Sequence, residues 1–386
     1  MSGPTRFALV AGGGTAGHVQ PAMAVARALA RTHGPGSVEL VGSRRGLERT
    51  LLSESGLPVT LLPGRGIKRR LSPRALVDNV LAVAALVLAA GEAVVLVTRR
   101  RPRVVVTVGG YASVPVGLAA ALVGVPVVVV NVDAVPGAAN RLLSRLARAS
   151  AVAWPATGLV RAVVTGAPLR PEVEAAAAAE PPRPATDPLA RAALGVPPGR
   201  RLVAVVGGSL GARRINEAAV ALAHRWAGRP DVALYHVVGR RDFPWAQAQR
   251  DEGADGGSDG LWYRQVEYEA HMEQVLRAAD VLVGRAGGMT VAEVAAVGTP
   301  ALFVPLPGAP RDHQRANARV LVDAGAALVV RDEDCDAARL DAELGALLAE
   351  PARLEAMAKA ALDLGRPAAT EAVAGLVEGS ARRRRS

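Results

Sequence analysis

Glycine turns that follow apolar runs hold the residues best suited to chemistry on an anion. Gly12, Gly14 and Gly17 satisfy the spacing G-x-G-x-x-G directly after the apolar run 7–11 and before a stretch of helical length. Backbone N–H groups in such a turn, backed by the positive end of the helix, attract a phosphate. A dinucleotide site would also want an acidic residue at the end of the next strand, and Glu39 is placed for it. That one turn therefore suits a dehydrogenase, another phosphate binder or a plain strand-to-helix connection. A second turn of the same kind, at Gly207, Gly208 and Gly211, changes the balance. One dinucleotide needs one such domain, so two turns fit two phosphorylated ligands, or one long one, better. Two more apolar runs lead into the glycine segments 108–113 and 284–293, so strand ends of one style recur along the chain.

Charged residues near these turns narrow the chemistry. Arg285 stands at the end of an apolar run just before glycines, where a cation should meet an anion or a carboxylate. Thr290 and Glu293 have the spacing of a capping box, which would account for both without a ligand; contact with a ligand is the other reading. Residues 312–317 (DHQRAN) follow a proline-rich loop and open a helix, with amides and a carboxylate suited to sugar hydroxyls or to an ordinary polar first turn. Asp332 and Asp334 form a D-x-D, in a late charged turn that the sequence places far from the glycine turns. The six scattered His offer no pair at metal-ligand spacing, so neither a metal site nor an obligatory cofactor is expected.

These turns need a scaffold that brings strand ends together. Apolar runs alternate with Ala-rich stretches of helical length, at 7–11, 38–41, 104–108, 127–130 and 162–165, and again at 202–206, 232–238, 281–283, 301–304 and 327–330. Continuous apolar strands separated by helices imply parallel sheets covered on both faces. Eight prolines between 168 and 198, around the alanine run 175–179, read as a linker and not as a strand or packed helix. The expected fold class is α/β, with two Rossmann-like parallel-sheet domains facing a cleft. The boundaries are 1–167 for the first domain, 168–200 for the linker, 201–365 for the second domain and 366–386 for a C-terminal segment with a basic tail.

In order along residues 7 to 330, the motifs around Thr15 to His18, Gly109 to Tyr111, Gly137 to Asn140, Gly166 to Arg170, Gly207 to Asn216, Arg285 to Glu293 and Asp312 to Asn317 form one set. The set resembles the MurG family of peptidoglycan N-acetylglucosaminyltransferases, two-domain enzymes of GT-B architecture. The resemblance implies inverting transfer of N-acetylglucosamine from UDP-N-acetylglucosamine to the C4 hydroxyl of undecaprenyl-diphosphate-linked N-acetylmuramyl-pentapeptide, in peptidoglycan synthesis at the cytoplasmic face of the cell membrane. On the donor side it implies Thr15, Ala16, Gly17, Asp133, Arg170 and Ser209. Gly288, Met289 and Thr290 join them, with Glu293 on the ribose hydroxyls and Gln314 on the sugar. On the acceptor and diphosphate side it implies Gly14, His18, Tyr111 and Asn140, and Asn216 and Arg285 complete the matched motifs.

The sequence departs from the family at five places. Asn131 stands where Glu is usual, Asp133 where Asn is usual, Leu210 where Gln is usual, Ala16 where Gly is frequent and Glu269 where an apolar residue is usual. A related UDP-sugar transferase with another lipid or natural-product acceptor is the alternative these changes raise. An inverting transfer needs a base, and His18 and Asp133 are the titratable candidates, one with a near-neutral pKa and one a carboxylate. Asp133 is favoured, restoring a displaced carboxylate, with His18 orienting the acceptor. The glycine turns at 207–211 and 287–288 are expected to hold the leaving diphosphate without an obligatory metal.

Charge and composition fit an anionic partner. The formal net charge is +11, while only 3% of residues are aromatic. A nucleic-acid site would interleave basic and aromatic residues, so no nucleic acid is expected, and phosphate and hydroxyl contacts must dominate binding. Arg65, Lys68, Arg69, Arg70 and Arg74 precede the apolar stretch 76–97, Arg99, Arg100, Arg101 and Arg103 follow it, and residues 382–385 add a second basic run. Such flanks suit an anionic membrane surface, at about 1 kcal/mol per basic side chain, or a core helix with solvated ends. The uncharged run 80–91 is too short to span a bilayer, and the single Cys335 cannot form an internal disulfide. A peripheral protein on the cytoplasmic face of the membrane is therefore expected.

Overall fold

The computed structural model of the chain describes residues 6–13, 16–44, 55–63, 73–179, 187–208, 211–249 and 260–383, the side chains of residues 16 and 73–84 excepted. It divides into two compact units, Met1–Arg170 with Ala368–Ser386, and Pro171–Pro367.

In the first unit, strands β1 (Ala8–Gly12), β2 (Val38–Ser43), β3 (Val59–Leu62), β4 (Val104–Gly109), β5 (Val127–Asn131), β6 (Ala149–Val152) and β7 (Ala162–Val164) form one parallel sheet. Their order is β3-β2-β1-β4-β5-β6-β7. Helices α1 (Ala16–His33), α2 (Pro73–Arg100), α3 (Ser113–Leu122) and α4 (Ala138–Ser144) follow strands of this sheet. Val10, Val106 and Val128 pack on one face with α1, and Leu9, Val105 and Val127 pack on the other with Ala93 and Val97 of α2 and Val116 of α3. Runs of β-branched residues such as VVVVN in β5 are buried on both faces, as a covered parallel sheet requires. The strand order reverses between β1 and β4, the place where such a sheet opens a crevice for a ligand.

The second unit contains α5 (Pro171–Ala178), α6 (Pro188–Leu194), β8 (Arg201–Val206), α7 (Arg213–Arg225), β9 (Val232–Val237), α8 (Phe243–Ala248) and β10 (Trp262–Val266). It continues with α9 (Met272–Ala278), β11 (Val281–Gly284), α10 (Gly288–Val297), β12 (Ala301–Phe303), α11 (His313–Asp323), β13 (Ala327–Val329), α12 (Ala337–Ala349) and α13 (Pro351–Leu364). Its parallel strands run β10-β9-β8-β11-β12-β13, the same winding as in the first unit, with the reversal between β8 and β11.

Two segments differ from the sequence reading. The stretch 168–200 is not a bare linker: α5 and α6 pack within the second unit, burying Val173, Ala176, Ala190 and Leu194. Proline punctuates these helices without preventing them, because Pro171 and Pro188 occupy first-turn positions where the missing N–H is not needed. Asp187 caps α6 by accepting from Leu189 and Ala190, and Arg277 on α9 binds both Asp187 (2.6 Å) and the carbonyl of Ala176 (2.7 Å). The segment 366–386 is likewise no appendage, since α14 (Ala369–Ser380) belongs to the first unit. Val373 and Val377 of α14 complete the core beside α1, His33 lies 2.8 Å from Glu378, and the backbone N–H of Arg382 donates to Arg103.

Candidate active site

In the first unit the reversal point is built from glycine. Gly12 and Gly109 are register partners on β1 and β4, and the N–H of Gly13 donates to Gly109 at 3.3 Å. Gly110, at φ 81°, brings its Cα so near Gly13 that an added Cβ would lie 1.6 Å from the Gly13 carbonyl oxygen. Only glycine permits that approach and that conformation. The buried Ser113 hydroxyl ties the two strand ends, accepting from Gly109 N–H and standing within hydrogen-bond reach of the carbonyls of Ala11 (2.9 Å) and Gly109 (2.7 Å).

His18, on the first turns of α1, lies against this junction: a Cβ on Gly109 would meet its ring nitrogen Nε2 at 3.0 Å and Asn140 Oδ1 at 3.5 Å. Asn140 is buried and donates to Val130 (3.2 Å) and to Asn131 Oδ1 (3.1 Å), while Asn131 Nδ2 donates to the carbonyl of Asp133 at 2.6 Å. Asn131 thus accepts and donates at once, which a carboxylate at this position would not do. The half-buried Asp133 is held at the carboxyl end of β5 by that bond. Tyr111 follows Gly110 in the turn after β4. Its ring packs against the cluster of Leu9, Ala11 and Val41, its hydroxyl is buried without a partner among the described residues, and burial raises its pKa.

In the second unit, Val206 and Gly284 are register partners on β8 and β11, so the turns that follow them emerge side by side. Gly208 and Gly211 take positive φ values of 74° and 89°, and Gly211 N–H closes the turn on Gly208. Behind it, Asn216 is fully buried and binds Val238 and Asp242, each at 3.0 Å. Asn216 is therefore a support of the turn. Beside it, Gly287 caps α10 with no side-chain hydrogen bond, which leaves the N–H groups of Gly288, Met289 and Thr290 without intrahelical acceptors. The capping-box reading fails here, because Thr290 is the third residue of the helix and not its cap. Thr290 and Glu293 instead stand three residues apart, both half-buried, on one face of the first turns.

Arg285 meets a carboxylate. Its guanidinium donates to Asp332 at 2.6 Å and to the carbonyls of Val304 and Pro305. The D-x-D turn is thus not far from the glycine turns: β11, β12 and β13 are adjacent, so the end of β13 delivers Asp332 to the end of β11. Asn317 donates to Ala286 at 3.1 Å and fastens α11 to the same turn. Ahead of α11, Arg311 and Asp312 both adopt left-handed backbone (φ 59° and 53°), a conformation that concentrates at functional sites. Gln314 follows, accepting from Leu306 N–H at 2.9 Å with its oxygen and leaving its NH2 group to donate. Glu269 is committed inward, to the Tyr235 hydroxyl (2.6 Å) and the His271 N–H (2.8 Å).

Glu39 shows why the first turn is not a dinucleotide site. It lies at the start of β2, not its end, and is buried between Arg6 (3.0 Å), Arg100 (2.9 Å) and the Thr60 hydroxyl (2.6 Å). Arg170, half-buried, closes the first unit at its boundary. Gly14, Thr15 and Ser209 lie outside the described residues, as does the side chain of Ala16. The supports Ser113 and Asp242 carry no motif of their own, and the D-x-D at Asp332 does not announce its partner Arg285. Only a glycine turn that must be held in place signals that such partners exist.

Two family models match the chain, that of the glycosyltransferase family 28 N-terminal domain over residues 8–152 and that of the C-terminal domain over residues 202–374. The chain is 40% identical to a protein of Moorella thermoacetica over 95% of this chain and 96% of the other. It is 39% identical to one of Acidothermus cellulolyticus over 98% of each. Both carry the name UDP-N-acetylglucosamine–N-acetylmuramyl-(pentapeptide) pyrophosphoryl-undecaprenol N-acetylglucosamine transferase. The fold is similar to the crystal structure of MurG from Acinetobacter baumannii, with a TM-score of 0.72 at 28% identity over 97% of this chain and 100% of that one. A glycosyltransferase of kitacinnamycin, at a TM-score of 0.68 and 18% identity over 98% of this chain and 99% of that one, shares the fold alone.

Proposed function

The chain belongs to glycosyltransferase family 28 in both of its units, and from that premise we propose that it transfers N-acetylglucosamine from UDP-N-acetylglucosamine to undecaprenyl-diphosphate-linked N-acetylmuramyl-pentapeptide in peptidoglycan synthesis. The observation that carries the chemistry is the pairing of Val206 with Gly284, which sets the glycine turn 207–211 beside the uncapped first turn of α10. Adjacent turns of this kind, each with backbone N–H groups and a helix N-terminus behind, suit the two phosphates of a nucleoside diphosphate. Thr290 and Glu293 on the first turns of α10, and the NH2 group of Gln314, then serve the ribose and sugar hydroxyls.

In the reaction the bond between the sugar's C1 and the diphosphate oxygen breaks, and the acceptor hydroxyl oxygen bonds to C1 from the opposite face. The hydroxyl proton passes to Asp133, with His18 orienting the acceptor, and the diphosphate departs into the amide-lined turns. Arg285 serves as a brace in this reading, because Asp332 and two carbonyls hold its Nη1.

Contact with an anionic membrane is part of the same proposal. Among the described residues no helix is long and apolar enough to cross a membrane. Helix α2 buries Ala89, Ala93 and Val97 on one side and exposes Val87 (66%), Leu88 (63%) and Val95 (49%) on another. A cavity of about 1000 Å³ between α2 and β3 is lined by these exposed residues and by Glu92, Arg99 and Arg100. Apolar side chains with basic neighbours suit an interfacial position. The basic residues Arg65, Lys68, Arg69 and Arg70, and the side chain of Arg74, lie outside the described residues. Turnover of UDP-N-acetylglucosamine against a panel of prenyl-diphosphate acceptors tests the acceptor, and flotation with anionic vesicles tests the surface.

A further inference from the structure

A line of buried polar groups runs beneath the glycine turn of the second unit. It begins at Gln265 on β10, whose Nε2 lies 2.6 Å from the Tyr263 hydroxyl. That hydroxyl is 3.0 Å from His236 Nδ1, His236 Nε2 is 3.0 Å from Asn216 Oδ1, and Asn216 Nδ2 lies 3.0 Å from both Val238 O and Asp242 Oδ2. His236 and Asn216 are fully buried.

The end of the line fixes the direction of every bond in it. Val238 offers a carbonyl and Asp242 a carboxylate, and neither has a hydrogen to give. Asn216 must therefore turn its NH2 toward them and its oxygen toward His236. An amide oxygen only accepts, so His236 carries its proton on Nε2. The other nitrogen of the neutral ring is then a bare acceptor, and it receives the Tyr263 hydroxyl hydrogen. Full burial opposes a charge on the ring and pushes its pKa down to about 3, so the ring has no route to a doubly protonated form near neutrality.

The same atoms form the floor of the turn. A Cβ on Gly207 would lie 2.6 Å from Val238 O and 2.9 Å from Asn216 Oδ1, and one on Gly211 would lie 2.6 Å from Asp242 Oδ2. Arg241 closes the rim, binding Asp242 Oδ1 at 3.0 Å and the Gly211 carbonyl at 3.2 Å. The backbone at Gly207 and Gly211 rests on the last three groups of the line with no side chain between. We infer that His236, locked as its Nε2–H tautomer, is a positioning residue: through Asn216 and Asp242 it sets the backbone of Gly207 and Gly211, at the two ends of the glycine turn, for a nucleoside diphosphate. This role rests on the proposed diphosphate site.

Three substitutions in the full chain separate positioning from bulk stability. His236→Gln keeps one donor for Asn216 and one acceptor for Tyr263, His236→Phe keeps the ring and removes both, and Tyr263→Phe removes only the hydroxyl. Loss of one such bond is worth about tenfold in affinity, so His236→Phe should raise the UDP dissociation constant and the KM for UDP-N-acetylglucosamine about tenfold, with the acceptor KM unmoved. His236→Gln should restore both to within about threefold of the original. Tyr263→Phe provides the same readout should His236→Phe not fold. Long-range 15N spectra should show His236 protonated on Nε2 at neutral pH. An Nδ1–H signal, or UDP binding unchanged in both His236→Phe and Tyr263→Phe, would overturn the inference. Failure of the unaltered protein to bind UDP would overturn the diphosphate reading itself, and the His236 role with it.

Discussion

Arg285 and Asp332 lie 47 positions apart, and their side chains meet at 2.6 Å where β11 and β13 end. The pair joins the turn that opens α10 to the turn that follows β13, and it explains both residues without a ligand. Arg285→Ala should cost about 2 kcal/mol of unfolding free energy, because it leaves a half-buried carboxylate and two carbonyls unpaired. Denaturant unfolding checks this. Full stability with abolished UDP binding would instead put Arg285 on the diphosphate. Because Asp332 is occupied in this way, chelation of divalent metal should leave turnover unchanged.

The contact of Gly110 with Gly13 gives a second test. An alanine at 110 would drive its Cβ to 1.6 Å from a carbonyl and would have to hold φ 81°. Gly110→Ala should therefore displace the β1 turn and lower turnover by about 100-fold or more, while UDP affinity, which the proposal assigns to the turns of the second unit, stays unchanged. Turnover near the original value would contradict the placement of this junction at the acceptor side.

Asn131 predicts the effect of one oxygen for one nitrogen. Asn131→Asp keeps the acceptor for Asn140 and replaces the donor to the Asp133 carbonyl with a repelling oxygen. The local cost is about 1–3 kcal/mol, and it falls on the turn that carries Asp133. The acceptor KM should rise with the donor KM unaltered. Equal effects on both would contradict the assignment of this turn.

His236 sets an acid limit. Burial pushes its pKa down to about 3 from the 6.5 usual for an imidazole, so between those pH values the unfolded chain binds more protons. Stability is fully present above pH 6.5 and falls as pH drops toward 3, by on the order of 4 kcal/mol. His236→Gln removes the titrating group, so its unfolding free energy should be flatter over that range. Parallel acid curves for the two proteins would contradict the burial of a neutral ring.

Much of this architecture can be read from the residues. The valine runs of β4, β5, β8 and β11 and the glycine turns behind them announce two parallel sheets with ligand sites at strand ends. Strands β3, β6 and β10 do not stand out, since ASAV and VTLL are short and WYRQV is interrupted by charge. Helices α5 and α6 are hidden by prolines that sit in first turns. Glu39 misleads because sequence distance cannot tell the start of a strand from its end. The supports are the least legible part. Ser113, Asp242 and Asp332 act through contacts between segments that only the sheet order brings together.

The central claim is the transfer itself, and acceptor-dependent release of UDP measures it most directly. With UDP-N-acetylglucosamine and undecaprenyl-diphosphate-linked N-acetylmuramyl-pentapeptide, the protein should release one UDP for each disaccharide-linked lipid formed. Asp133→Asn should cut that rate by about 100- to 10,000-fold, the usual worth of a general base, without weakening UDP binding. Equal UDP release with and without the lipid acceptor, or an Asp133→Asn protein of undiminished rate, would contradict the account.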